Sequence, residues 1–556
     1  MVQLRDGFNL SVDYADVEDH LEEPIRQVVR HPRQVAIRQW QSALEESIDE
    51  LKQGSGEIQI LSCHLTLFNA VRSEFYSPVA PSIFVDRGFC PHRFVILFDD
   101  IFDMLRRLSV DDPDPWKAGI FSPSLGESMF LDRAARTLDL TRSEDLVAEE
   151  RSYLRTEYRV QALTQLLAWR RAEIVQAELL AGQIDAEFLP YGVKHAIDGL
   201  VNACRLSSAA SRTLYVSHPI SQPRRETRKG DDWPGVVHEC NRLPETLTRM
   251  SCIPIMPTAI DELRLEQSDS GLFDRAPLLS CRWPMQSSPT GLIHSDAISF
   301  SEAERSLLLP DAYDEMPETH RVAVAGLMRG LEASISAEVP FRDHLIVAHA
   351  KDLLVYRPLY GDDSTFSGGV EHEISHWEEL ANAAPGERHV AFIHTFDDVR
   401  SVLRAIEADS TRFGTWGQFF ENDVRKRLLS KYTLHATAKE AWSIFRSQRP
   451  DDLLGNIPLS TDLVKELRAQ SLVAATRHFA FTALTNLEDE QPYAGVFLAP
   501  TPAEIDVKLL KRVVRFFFDR GPADGFGLSM DQAIDGGLLA WGEELAKRLI
   551  PTERGA

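Results

Sequence analysis

Short apolar runs that end in polar residues recur along this chain, and stretches with helically spaced apolar residues separate them. The runs fall at 58–66, 94–98, 188–193, 213–220, 253–256, 352–358 and 389–394. A strand that leads into a helix rejoins its sheet by a crossover, and crossovers make neighbouring strands parallel. The helical stretches include 35–51 and 143–183, with further amphipathic ones at 439–445, 461–477 and 507–518. The pattern predicts an α/β fold: two tandem Rossmann-like units with mostly parallel sheets plus a helical C-terminal domain. The expected boundaries are a helical segment over 1–55, a first unit over 56–210, a second over 211–409 with an insertion at about 266–340, and helices from 410 to 556.

A chain of 556 residues is too long for one ordinary core, which agrees with several domains. Its 84 acidic against 60 basic residues give a formal charge of −24. That balance opposes direct nucleic-acid binding or docking on an anionic membrane. No apolar run reaches the roughly 20 residues a bilayer requires, and the opening Met1 to Asp6 is polar where a signal peptide has its apolar region. A cytoplasmic protein is expected, with a nucleotide or nucleoside as its small-molecule partner, no cofactor, and a homo-oligomer left open. The six cysteines (63, 90, 204, 240, 252, 281) contain no C-x-x-C pair and read as reduced thiols.

The chain also repeats an order of polar residues. His64 precedes Asp103 by 39 residues, and His218 precedes Asp261 by 43. Glu173 precedes His195 by 22, and Glu373 precedes His394 by 21. Each of these last histidines is followed three positions later by an aspartate, Asp198 or Asp397. Seventy residues between the middle pairs become 112 in the second copy, as an insertion would produce. A duplicated α/β unit explains the match, and ligands in such sheets sit at the carboxyl ends of strands. The first copy has Ala168-Trp169-Arg170-Arg171 where the second has its glycines, so it reads as diverged.

The densest segment begins at Asp352-Leu-Leu-Val-Tyr-Arg357 and continues through Ser367-Gly368-Gly369 to Glu373. This order of strand, polar glycine loop and acidic helix start resembles the nucleoside 2-deoxyribosyltransferase-like family, over about 213–400. The resemblance implies that Glu373 is the nucleophile at an anomeric carbon, forming a covalent glycosyl-enzyme. It further implies that Asp261, and with it Asp352, assist departure of the base or orient the sugar. Ser367 and Gly369 would offer N–H groups to a hydroxyl or phosphate at the helix start. His218 holds the strand end where some members carry a tyrosine, His394 ends the next strand, and Arg224 with Arg225 suits a 5′-phosphate. The helix after the glutamate is bulkier than the family's, with Trp377, Glu378 and Glu379.

The expected activity is therefore cleavage or transfer at the N-glycosidic bond of a nucleoside, nucleotide or NAD-like molecule. Two alternatives stand beside it. His372-Glu373-x-x-His376 has the spacing of a zinc-hydrolase helix, in which both histidines hold the metal and the glutamate is the general base. A non-catalytic protein that senses a nucleotide, or gates an assembly, fits the same composition.

Overall fold

The computed structural model describes most of residues 11–104, 123–260, 313–360, 368–398 and 494–519. Asp103, Arg224, Arg225, Asp261, Ser367 and Asp397 lie outside the described residues, as do the helices expected at 439–445 and 461–477. The protein is a mixed α/β chain that divides into two compact units. One comprises Met1–Ser208 with Thr258–Arg342, the other Ala209–Pro257 with Asp343–Ala556.

In the first unit β1 (Val12–Asp16) pairs in parallel with β2 (Ile58–Ser62). The short helix α1 (Ile25–Val28) and the longer α2 (Arg33–Gln53) connect them. Helix α2 buries Ala36, Trp40, Ala43, Leu44, Ser47, Ile48 and Leu51, a stripe of helical period. Gly54 ends it, and Gly56 donates its N–H to Asp13 Oδ2 at 2.6 Å. A Cβ on Gly56 would strike the Asp13 backbone nitrogen at 2.8 Å, so this close approach excludes larger residues there. A hairpin of β3 (Leu67–Asn69) and β4 (Glu74–Tyr76) follows, then α3 (Pro81–Asp86). Strand β5 (Arg93–Phe98) pairs in parallel with β6 (Glu187–Gly192). The helices α4 (Pro123–Thr137) and α5 (Ala148–Gln183) lie between them in sequence, and α6 (Ile197–Arg205) follows. β1 falls in the segment expected to be helical. Its alternation of Val12, Tyr14 and polar residues is half-buried strand that only its partner β2 completes.

The second unit is organised around one fully parallel sheet. Its strands are β7 (Arg212–Ser217), β8 (Cys252–Ile255), β9 (Asp352–Tyr356), β10 (His389–Thr395) and β11 (Ala494–Ala499). They lie in the order β8–β7–β9–β10–β11, so by rank the sheet reads 2-1-3-4-5, one of the doubly wound orders. The helices are α7 (Gly235–Thr248), α8 (Glu318–His349), α9 (Gly368–Ala383) and α10 (Val507–Asp519); α8 belongs to the first unit through Arg342. Residues 494–499, expected within a helical domain, instead supply the edge strand of this sheet. The run is short and contains a glycine, and its strand character depends on pairing with β10.

Side-chain alternation assigns the helices to faces. Tyr215 stands level with Leu353, so it shares a face with Ser217 and Val355, and its hydroxyl meets Glu373 of α9. Tyr356 points the other way, to Glu239 of α7. Phe497 lies level with Ile393, which pairs with Tyr356, and it touches Phe516 of α10. Helices α7 and α10 therefore cover one face and α9 the other. β8, β9 and β10 are buried along their whole length, as strands covered on both sides must be.

At the amino edge, Asp352 is fully buried. Arg212 of β7 donates to both its oxygens, at 2.6 and 2.7 Å, and the His389 N–H of β10 donates at 3.0 Å. The three central strands are thus fixed at one end by a carboxylate. No helix among the described residues is long and apolar enough to cross a membrane.

Replacing Asp352 by alanine leaves the Arg212 charge buried without its partner. It is expected to destabilise the second unit by about 3–5 kcal/mol. Urea unfolding measures this, and a loss well under 1 kcal/mol would show that the clamp is dispensable.

Candidate functional site

In an open parallel sheet, ligands bind beyond the carboxyl ends of the strands where the strand order reverses. Here that point lies between β7 and β9, because β7 leads outward to β8 and β9 leads to β10 on the other side. Each face of the sheet brings its own set of side chains to this edge.

On the α9 face, Glu373 projects from the second turn of the helix and is 6% exposed. The Tyr215 hydroxyl donates to its Oε1 at 2.5 Å, a short charge-assisted contact if the carboxylate is ionised. Ser217, two residues further along β7, lies on the same face nearer the open edge. It is fully buried, and its hydroxyl has no hydrogen-bond partner among the described residues. His394 of β10 joins them: it stacks on Phe392, which stands level with Val355. Four polar groups from three elements therefore share one face near the strand ends.

On the α7 face a denser ionic group closes the edge. Arg357 adopts a left-handed backbone, with φ of 45°. This turn directs its guanidinium to the carboxylate that Tyr356 already reaches. Nη1 donates to Glu239 Oε2 at 2.6 Å, while Nε and Nη2 grip Asp398 at 2.9 Å each. Burial works against the Arg357 charge, but Asp398 and Glu239 outweigh it and hold the pKa above its ordinary value. Tyr360 lies under the guanidinium at 5.1 Å and donates to Glu226 Oε2 at 2.6 Å. Burial and that carboxylate push its phenol pKa upward. A left-handed arginine costs conformational energy, and such strain concentrates at functional sites.

The residues singled out in the sequence distribute unevenly. Glu373 and His394 come to the same face. His218 is buried just beyond β7, with Nδ1 3.1 Å from the Pro219 carbonyl oxygen. Gly369 lies in the first turn of α9, exposed, with open space where a Cβ would project. Asp352 does not join them: it occupies the amino end of its strand, opposite the crevice, engaged by Arg212 and His389. His372 is exposed and His376 half-buried, whereas Glu373 turns inward to Tyr215. Sequence reasoning missed Tyr215, Ser217, Glu239 and Asp398. Only Tyr215 and Ser217 carried a signal, as alternate positions of a strand that ends at a polar turn.

In the first unit a helix glutamate again reaches back to a strand end. Glu173 of α5 lies 3.0 Å from His64 Nδ1 and accepts the Leu65 N–H at 2.9 Å. Trp169 stacks on the His64 ring, with centroids 5.3 Å apart, and anchors its own indole N–H on the Thr66 carbonyl at 2.8 Å. His195 is buried beside Tyr191, with Nδ1 3.1 Å from the Gly192 carbonyl oxygen. The two units differ in the segment before that glutamate. No described strand lies between β5 and α5, whereas β9 lies between β8 and α9. Burial, with the charges of Glu173 and Asp16, pushes the Cys63 thiol up to about 12 and leaves it protonated.

In comparisons with known proteins, no family model, no curated protein and no solved structure matches the chain.

Burial opposes protonation of His64, but the hydrogen bond and charge of Glu173, aided by Glu18 and Asp16, raise its pKa above the ordinary 6.5. The folded chain thus holds this proton more tightly than the unfolded one. The resulting stability is full below about pH 6.5 and is lost as pH climbs through the raised value. An NMR titration of the His64 ring is expected to show a midpoint above 6.5, with Glu173→Gln lowering it; a midpoint unmoved by that substitution would remove Glu173 as the cause.

Proposed function

We propose that the second unit binds a nucleoside, nucleotide or NAD-like molecule beyond the carboxyl ends of β7 and β9 and breaks its N-glycosidic bond with Glu373 as nucleophile. The observation that carries this reading is the placement of Glu373: a buried carboxylate, held by the Tyr215 hydroxyl, on the helix that follows β9 at the reversal of a parallel sheet. A retaining transfer needs one carboxylate fixed against the sugar face, and the hydrogen bond from Tyr215 supplies that fixation.

In the proposed reaction Glu373 forms a bond to the anomeric carbon as the carbon–nitrogen bond breaks. The electron pair leaves with the base, which takes up a proton; Asp261 is the donor the family resemblance implies. Water or a second base then accepts the sugar and frees the carboxylate. Ser217 and His394, on the same face, suit hydrogen bonds to sugar hydroxyls. Arg357 is committed to Glu239 and Asp398, so its role is to shape the rim, and the phosphate contacts fall to Arg224 and Arg225. This function fits two tandem Rossmann-like units, the first diverged, in a cytoplasmic protein that does not bind nucleic acid.

One observation favours a second reading, nucleotide sensing without chemistry: Glu373 is almost wholly covered. One experiment separates the two. The chain is incubated with a nucleotide pool including NAD, and free base is followed by mass spectrometry beside ligand binding. Glu373→Gln is expected to lower base release on the order of 10⁴-fold while binding persists. Binding with no base release by the parent chain would replace cleavage with sensing, and neither binding nor release would remove both.

A further inference from the structure

His372 and His376 lie one turn apart on α9. They meet a third histidine, His344, from the last turns of α8, within the same unit. The His344 ring stacks against both: its centroid is 4.6 Å from that of His372 and 4.2 Å from that of His376, at interplanar angles of 26° and 16°. His344 Nε2 and His372 Nε2 face one another at 2.5 Å. Two neutral imidazoles tolerate this only if one donates its N–H to the other's lone pair. Any state that presents two lone pairs or two N–H groups is repulsive. Three imidazoles so gathered on an acidic chain form a donor set with little reason to associate by burial alone.

We propose that His344, His372 and His376 form a binding site for a zinc ion that ties α8 to α9. Imidazole nitrogen is a preferred ligand of zinc and its late-transition neighbours and a poor one for magnesium or calcium. Histidines at i and i+4 present their rings to one ion from one helix face. Zinc–nitrogen bonds of about 2.0–2.1 Å at tetrahedral angles need nitrogens roughly 3.4 Å apart, so the facing pair must separate by only about 1 Å. No three such donors already surround a common point among the described residues, so His376 must turn its ring to complete the set. Partly exposed rings make such turns within nanoseconds. Glu379 lies 3.8 Å from His376 Nδ1, where a carboxylate orients a ligating imidazole and leaves Nε2 for the metal. Water completes the tetrahedron.

This site is independent of the proposed glycosidic chemistry. Glu373 is buried and engaged by the Tyr215 hydroxyl, so the ion is assigned no general base and acts as a clamp. Its test needs no substrate. The untagged full chain is stripped with a chelator, and zinc is titrated in competition with a chromogenic chelator. One zinc per chain is expected, with His344→Ala, His372→Ala and His376→Ala each weakening binding by at least about tenfold. No binding, or binding unchanged in the His372→Ala/His376→Ala double variant, would overturn the proposal. A second measurement uses the parent chain alone: zinc is expected to protect these three histidines from diethyl pyrocarbonate, read by peptide mass spectrometry. Equal modification with and without zinc would overturn it even where a variant fails to fold.

Discussion

Asp352 has no water to solvate it, so its charge is tolerable only because Arg212 and His389 surround it. Those partners come from the strands on either side. The one carboxylate therefore fixes the relative position of β7, β9 and β10 at their amino ends, and does so in the part of the sheet that both helix layers cover. Parallel strands twist away from such a fixed edge. The carboxyl ends are where the chain leaves the sheet, turns and brings different side chains to each face. Stability and ligand access are in this way assigned to opposite edges.

The open edge is asymmetric in its chemistry. One face carries hydroxyls, an imidazole and a single glutamate, groups that donate and accept with little net charge. The other carries Arg357 locked between two carboxylates, with Tyr356 donating to one of them, Glu239, and Tyr360 donating to a third acid, Glu226. An arginine engaged three ways has little left to offer a ligand and holds three segments rigid instead. The strained backbone at Arg357 is consistent with that, since the ion pairs require the guanidinium to reach the α7 side. Of the two faces, the less charged one suits a sugar better than it suits a polyanion.

Much of the parallel α/β character was legible from the sequence because β7 to β10 are apolar runs bounded by polar turns, and α2 and α5 carry unbroken helical stripes. β1 and β11 were not legible. Val12–Asp16 is five residues with two aspartates, and Ala494–Ala499 is short, so both become strands only through partners far away in the chain. At the candidate site Glu373 stood out by its place after a strand and glycines, but the same letters suggested a metal helix. What turns the glutamate inward and leaves His372 exposed is the rotation of α9 about its axis, and a spacing of four residues does not encode that. The position of Asp352 at the amino end of β9 was not legible, because a strand's sequence does not announce which of its ends meets the turn that follows. Tyr215 was passed over as part of an apolar run, although its hydroxyl is what holds the glutamate.

The edge strand β11 pairs with β10 across roughly a hundred intervening residues. Such distant pairings form slowly, because the loop must close before any contact rewards it. During synthesis on the ribosome, β10 emerges long before Ala499 does. Until then no other described strand pairs with its outer row of N–H and C=O groups, and an unpaired row on a strand with Val, Ile and Thr is a template for stray strands. The nascent protein thus has a period of vulnerability fixed by topology. A chaperone that shields one sheet edge, or a slower rate of elongation before that strand, would change the yield of native chain without touching its final stability.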